Sequence, residues 1–291
     1  MKTRLACSVF GFGLLLVVGC GGGVSSGLAL GKVADEVGAQ AASTPQGGEL
    51  CLVKEALAQA NIGEKPMSDA CTKALKKDRM YRRTMLALAA YGDTVTALSS
   101  GQGDDHTGRA EAASTGIEGS DWVDVDSADS AARDAAAALV AHFRDHAKDD
   151  DLEALVKGAA PHVKTLCDGL IPYLESQETG FGDARRDVEK KRLAKIERRC
   201  GAIDNKTVCV SDSATDRVVY ATTLGQLALS EGNAGEARAA VGGFCAAHAK
   251  LEEAAAAGKL KSDETMDAVV AAIASARKAP AAVTPAPASK K

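Results

Sequence analysis

His142 and His146 stand four residues apart, with Asp150 one turn further on. On a helix this spacing lines three potential metal ligands along one side, where imidazole nitrogens and a carboxylate together suit a divalent cation. The glutamate that zinc hydrolases carry between such histidines is absent, and Leu139 and Phe143 lie beside the array. A structural role at the border of a buried stripe is therefore the competing assignment. Asp121, Asp124, Asp126 and Asp129 gather around Trp122 and offer oxygen ligands of the kind calcium takes. The glycine that bends an EF-hand loop and its closing glutamate are missing, so Asp126 or Ser127 reads better as a helix N-cap, with Asp129 favouring the positive helix end. Trp122 then pins the loop to the domain. His248 shares a helical face with Phe244 and Cys245, the setting of a core histidine. Gly23-Val24-Ser25-Ser26-Gly27 matches a serine-nucleophile elbow in letters only, because no strand pattern precedes it. Gly27 to Lys32 is one residue short of a phosphate loop, and Val33 occupies the place of the magnesium-binding hydroxyl.

From Asp183 to Arg199 the chain reads DARRDVEKKRLAKIERR, eight basic residues against four acidic ones. Such a segment could meet lipid head groups, phosphates or an acidic partner, or it could be a solvated helix laced with pairs such as Asp187 to Lys191. The whole chain carries a formal charge of −4, which gives it no overall footprint for nucleic acid. With one Trp, four Tyr and five Phe, two of the Phe in the apolar N-terminal leader, it has few aromatic faces for a sugar-binding cleft. No Ser/His/Asp or Cys/His set has a recognisable context, so neither an enzyme nor a cofactor is expected.

Lys2 and Arg4 precede an apolar stretch, Val9 to Val18, that is too short to cross a bilayer and has the form of an export signal. Val17-Val18-Gly19-Cys20 resembles the lipobox of bacterial lipoproteins. The resemblance implies that Cys20 is acylated and becomes the new N-terminus, anchoring the chain to a membrane. It also implies that Gly21, rather than Asp, after the cysteine favours passage to the outer membrane. Loss of Lys2 and Arg4 with the signal leaves the exported chain more acidic still. In an oxidising compartment Cys51, Cys71, Cys167, Cys200, Cys209 and Cys245 form an even set, which predicts three disulfides. Sequence leaves the pairing open. Cys200 with Cys209 across an Asp204-Asn205 turn and Cys51 with Cys71 across a helical hairpin are the favoured pairs. No C-x-x-C occurs, which argues against zinc.

These residues need elements to hold them, and the composition supplies helices: Ala, Leu, Glu, Lys and Arg dominate, without alternating β-branched runs. Tyr81, Met85, Leu88, Val95 and Leu98 mark a long helix from about Ser68 to Ser99. Leu152, Leu155, Val156, Val163, Leu166, Leu170 and Leu174 define another, with a kink or break expected at Pro161 and a second interruption at Pro172. Tyr220, Leu224 and Leu227 form one apolar face and Val241, Phe244, Cys245 and His248 a second, joined by a Gly232-Asn233 break into a helical hairpin. Met266, Val269, Val270 and Ile273 follow a Ser262 N-cap. The expected organisation is a signal over 1–19, a lipidated N-terminus and flexible tether over 20–48, with a short helix near Val33 and Val37, an all-α antiparallel bundle braced by disulfides over 49–278, in one or two units, and a disordered Ala/Pro tail over 279–291. Residues 101–126 form a long loop. The expected role is that of a lipid-anchored envelope protein, a non-catalytic scaffold with a membrane and an envelope protein as partners. The alternative is a small-ligand or metal-binding envelope protein with a pocket between helices.

Overall fold

A computed structural model describes residues 26–43, 50–51, 68–100, 127–146, 151–198, 200–203, 206–209 and 214–278. The helices are α1 Ser26–Ser43, α2 Asp69–Ser100, α3 Ser127–His146, α4 Leu152–Arg198, α5 Ala214–Ala256 and α6 Asp263–Lys278. A two-stranded antiparallel hairpin, β1 Cys200–Ile203 and β2 Lys206–Cys209, joins α4 to α5. The export signal, Cys20, the 101–126 loop with Trp122 and its aspartates, Asp150 and the tail lie outside the described residues. Among the described residues no helix is long and apolar enough to cross a membrane.

The expected all-α antiparallel bundle is what forms. Helices α4 and α5 run antiparallel as its long axis, tied by the Cys167–Cys245 disulfide and the Arg238–Glu178 ion pair at 2.8 Å. Helix α3 returns along α4, with His142 against Leu155 and Ala132 against Gly169. Helices α1 and α2 cover the other side, and one core unites residues from all six helices. A Cys51–Cys71 disulfide, Cα atoms 5.3 Å apart, ties Cys51 to the first turn of α2. The β-hairpin register sets Cys200 opposite Cys209, the favoured sequence pair.

Three expectations are corrected. The tether drawn over 20–48 gives way, from Ser26 to Ser43, to a full helix whose Leu30, Val33, Ala34, Val37 and Ala41 are buried. Its apolar face is made largely of Ala and Gly, which look like linker composition but let helices approach closely. Gly27 faces Ser99, Gly31 faces Thr96 and Ala34 faces Gly92, so α1 and α2 pack antiparallel at short range. Second, Pro161 does not break α4, which runs on through Pro161 and Pro172. Both prolines are exposed, as are Lys157 and Asp168 four residues before them, so water can satisfy the freed carbonyls. The buried stripe from Leu155 to Leu174 continues on the other face, and its packing offsets a penalty of about 3 kcal/mol per proline. Third, Gly232-Asn233 is no hairpin turn but part of the uninterrupted α5. Asn233 Nδ2 donates to the Ser43 carbonyl at 3.2 Å, satisfying an acceptor that the end of α1 leaves open.

The chain turns after α5 at Gly258, whose φ of +66° suits glycine. Lys259 N–H donates to the Ala254 carbonyl and Gly258 N–H to that of Ala255, a Schellman closure. Ser262 Oγ then accepts from the Thr265 N–H at 3.2 Å as the expected N-cap of α6. Val269 of that helix is buried, whereas Val270 is exposed.

The close packing of α1 makes a prediction. A Cβ on Gly92 would stand 2.2 Å from Ala34 Cβ and 3.1 Å from a ring carbon of Phe244, and Ala34 has no rotamer with which to yield. Overpacking costs up to about 3 kcal/mol, against about 1 kcal/mol gained in helix propensity. Gly92→Ala should therefore destabilise the protein by about 2 kcal/mol in urea unfolding followed by circular dichroism. Gly225 and Gly232 have no neighbour within 4 Å among the described residues, so Gly225→Ala should instead stabilise. Equal midpoints for the two variants would refute this packing.

Candidate functional site

The metal candidates fall where the C-terminal part of α3 meets the start of α4. His142 is half-buried, and its Nε2 lies 3.1 Å from the Leu155 carbonyl oxygen. Gly158 leaves the room its ring occupies, because a Cβ there would stand 2.1 Å from a ring carbon. One imidazole nitrogen is thus committed to the backbone of α4. His146 closes α3, and with Asp150 outside the described residues the three are not seen together. Among the described residues no group of three metal-ligating side chains converges.

Two polar pairs lie buried in the core instead. Tyr91 of α2 and His248 of α5 meet through the Tyr91 hydroxyl and His248 Nε2 at 3.0 Å, with Phe244 edge-on to Tyr91 at 6.4 Å between ring centroids. Burial pushes the imidazole down to about 4 from its usual 6.5 and, with the Glu252 charge, pushes the Tyr91 phenol well up. Both therefore stay neutral, and one ordinary hydrogen bond joins hydroxyl and Nε2, its donor set by the imidazole tautomer. His248 is the core histidine that its helical face implied.

The second pair joins α2 to α4. Tyr173 donates to the buried Asp78 carboxylate, and its ring stacks on Tyr81 at 3.9 Å and 12°. Burial first, then the Asp78 charge and hydrogen bond, hold the Tyr173 phenol far above its usual range. Lys77 Nζ lies 5.8 Å from the centroid of Tyr81. Sequence reasoning missed this cluster, although a signal existed. Cys71, Asp78, Met85 and Gly92 recur every seventh residue of α2, so Asp78 sits on the buried seam, where a carboxylate needs a partner. Chemically both pairs lock helices together from within the core.

Beyond Ser43, where α1 ends, α4 and α5 continue as a two-helix arm with the β-hairpin at its tip. A second buried cluster holds it: Leu50, Phe181, Ala184, Val188 and Leu227, with Tyr220 and Leu224 packed against them. Arg185 pairs with Glu231 across the arm at 2.9 Å, and Arg186 pairs with Asp183 on α4 itself. Part of the basic segment is therefore a paired helix surface. The outer face of α5 is different. No charged residue occurs from Val218 to Ser230, and Val218, Val219 and Leu229 are 64, 57 and 65 % exposed. Leu193 on α4 is also exposed. Sequence periodicity found the inward face of this arm but did not mark the outward one, because Val218 and Leu229 look like core residues until their neighbours are known. Comparison with protein-family models, with curated proteins and with solved structures finds no match to this chain.

Proposed function

We propose that the chain is a lipid-anchored protein of the bacterial cell envelope, held at the outer membrane through Cys20, whose helical body is a non-catalytic scaffold that binds a partner protein. The observation that carries this proposal is the pair of disulfides, Cys51–Cys71 and Cys167–Cys245, that brace the body. Oxidised pairs of this kind belong to exported chains. They support export by the leader that ends in Val17-Val18-Gly19-Cys20. The exposed, uncharged α5 face supports a binding role, and the buried pairs Tyr91–His248 and Asp78–Tyr173 are accounted for as core bonds.

Cells fed an alkyne fatty acid should label the wild-type protein and leave the Cys20→Ala variant unlabelled and out of the membrane fraction. Equal labelling of the two would refute the anchor. Crosslinking in intact membranes followed by affinity isolation should give a discrete heavier species. Recovery of the monomer alone would count against the scaffold role.

A further inference from the structure

Body and arm meet at a level where the apolar core is interrupted. The main core reaches Leu174 on α4 and Ala237 on α5, and the arm cluster begins at Phe181 and Leu227. In the stretches between, 175–180 and 228–236, Ala234 is the only buried apolar residue among those described. Polar contacts cross this level instead. Arg238 pairs with Glu178, Arg185 with Glu231, and Gln40 Nε2 donates to Glu236 at 3.3 Å. Gln177 Oε1 is buried here without a donor among the described residues. Each long helix also carries two glycines at this level, Gly180 and Gly182 on α4, Gly232 and Gly235 on α5. Ion pairs that water reaches are weak and screened by salt, and glycine lowers the resistance of a helix to bending. Side-chain packing that thins at one level of both helices makes a hinge.

One residue from outside the two long helices spans this break. Leu50 is buried in the arm cluster and sits on Gly180, where a Cβ would stand 2.6 Å from it. Its neighbour Cys51 is bonded to Cys71 in the first turn of α2, a helix that Met85 and Leu88 fix in the main core. The bridge thus fastens an arm contact to a helix of the body. Its setting differs from that of the other disulfide. Cys167 lies in the main core with Cys245 packed on it, whereas Cys51 and Cys71 belong to neither buried cluster. Cys71 is fully buried and Cys51 partly exposed, so a thiolate meets the bridge at Cys51.

We propose that residues 175–182 and 231–236 form a hinge between body and arm, and that the Cys51–Cys71 bridge is a thiol-sensitive clasp that keeps it straight by holding Leu50 in the arm cluster. The reactant is a dithiol. One of its thiolates attacks Cys51 Sγ, the S–S bond breaks, and Cys71 leaves as a thiolate that takes up a proton. The second thiol then displaces Cys51 from the mixed disulfide, so the dithiol is oxidised and the protein gains two thiols.

The test uses the full chain and dithiothreitol. Donor and acceptor dyes on azide-bearing amino acids at Lys32 and Gln226, exposed sites on body and arm, report the distance across the hinge. Brief reduction should widen the distance distribution about twofold with the far-UV circular dichroism unchanged. Alkylation read by peptide mass spectrometry should find Cys51 and Cys71 freed about tenfold sooner than Cys167 and Cys245. Equal freeing of the two pairs would overturn the clasp. An unchanged distribution once Cys51 and Cys71 are free would overturn the hinge, as would loss of helix on reduction. Leu50→Ala keeps the bridge and should loosen the arm as reduction does, and an arm that stays straight in this variant would overturn the role of Leu50. Gly232→Ala, where a Cβ meets nothing within 4 Å, should narrow the distribution of the reduced chain, and a width left unchanged would overturn the placing of the hinge. None of these readouts needs the acyl anchor or a partner protein, so the clasp and the proposed function stand or fall separately.

Discussion

Replacing Cys167 and Cys245 by alanine should cost the folded protein about 4 kcal/mol, on the order of 10 °C in Tm. The bridge closes a loop of 78 residues between the N-terminal part of α4 and the C-terminal part of α5. Without it the unfolded chain regains the entropy that the closed loop had removed, an amount that grows with the logarithm of loop length. Cys51–Cys71 closes only 20 residues, so Cys51→Ala/Cys71→Ala should cost less, about 3 kcal/mol. Cys167 is buried against the core and Cys245 packs on it, so the first pair also loses packing. Urea unfolding of both double variants checks the order. A smaller loss at Cys167/Cys245 than at Cys51/Cys71 would show that the long bridge does not stabilise through the unfolded chain.

Acid should destabilise the protein through His248. Burial lowers its folded-state pKa to about 4 from 6.5. Between these values the unfolded chain takes up a proton that the folded one refuses, so stability is full above pH 6.5 and declines as pH falls toward 4. The total loss is about 3 kcal/mol, levelling off below the folded pKa. His248→Gln should flatten this part of the stability–pH curve and leave only the slope of the carboxylates. Tyr91→Phe removes the partner of Nε2 and should cost about 1–3 kcal/mol at neutral pH. A wild-type curve that parallels that of His248→Gln from pH 7 to 4 would contradict the sealed environment of the imidazole.

Much of the bundle was legible because large apolar residues mark it. Met85 and Leu88 in α2 and Leu166, Leu170 and Leu174 in α4 are buried where their spacing put them. What escaped notice has a common cause, since helix contacts made by small residues leave no hydrophobic periodicity. Helix α1 looked like a tether because Gly27, Gly31 and Ala34 do the packing. Gly232-Asn233 looked like a turn because the acceptor that Asn233 serves, the Ser43 carbonyl, lies 190 residues earlier. The Cys51–Cys71 pair is local and was foreseeable. Cys167–Cys245 depends on α5 being one continuous helix alongside α4, which local signals concealed. At the candidate site, sequence located the basic segment. That α1 stops at Ser43 and that Val218, Val219 and Leu229 of α5 are exposed could be learned only from the assembled helices.

The seat of α1 has a further consequence for the order in which the molecule can form. Of the described helices this one comes earliest in the chain, yet Ser26 bonds to Leu260, 234 positions later, and its neighbours Gly92 and Gly243 come from two other helices. A segment poor in large side chains gains little by collapsing on itself, and closing so long a loop is slow. The leading helix must therefore wait, solvated, for the last third of the chain. Final docking makes it a latch, set only after every other helix of its seat exists.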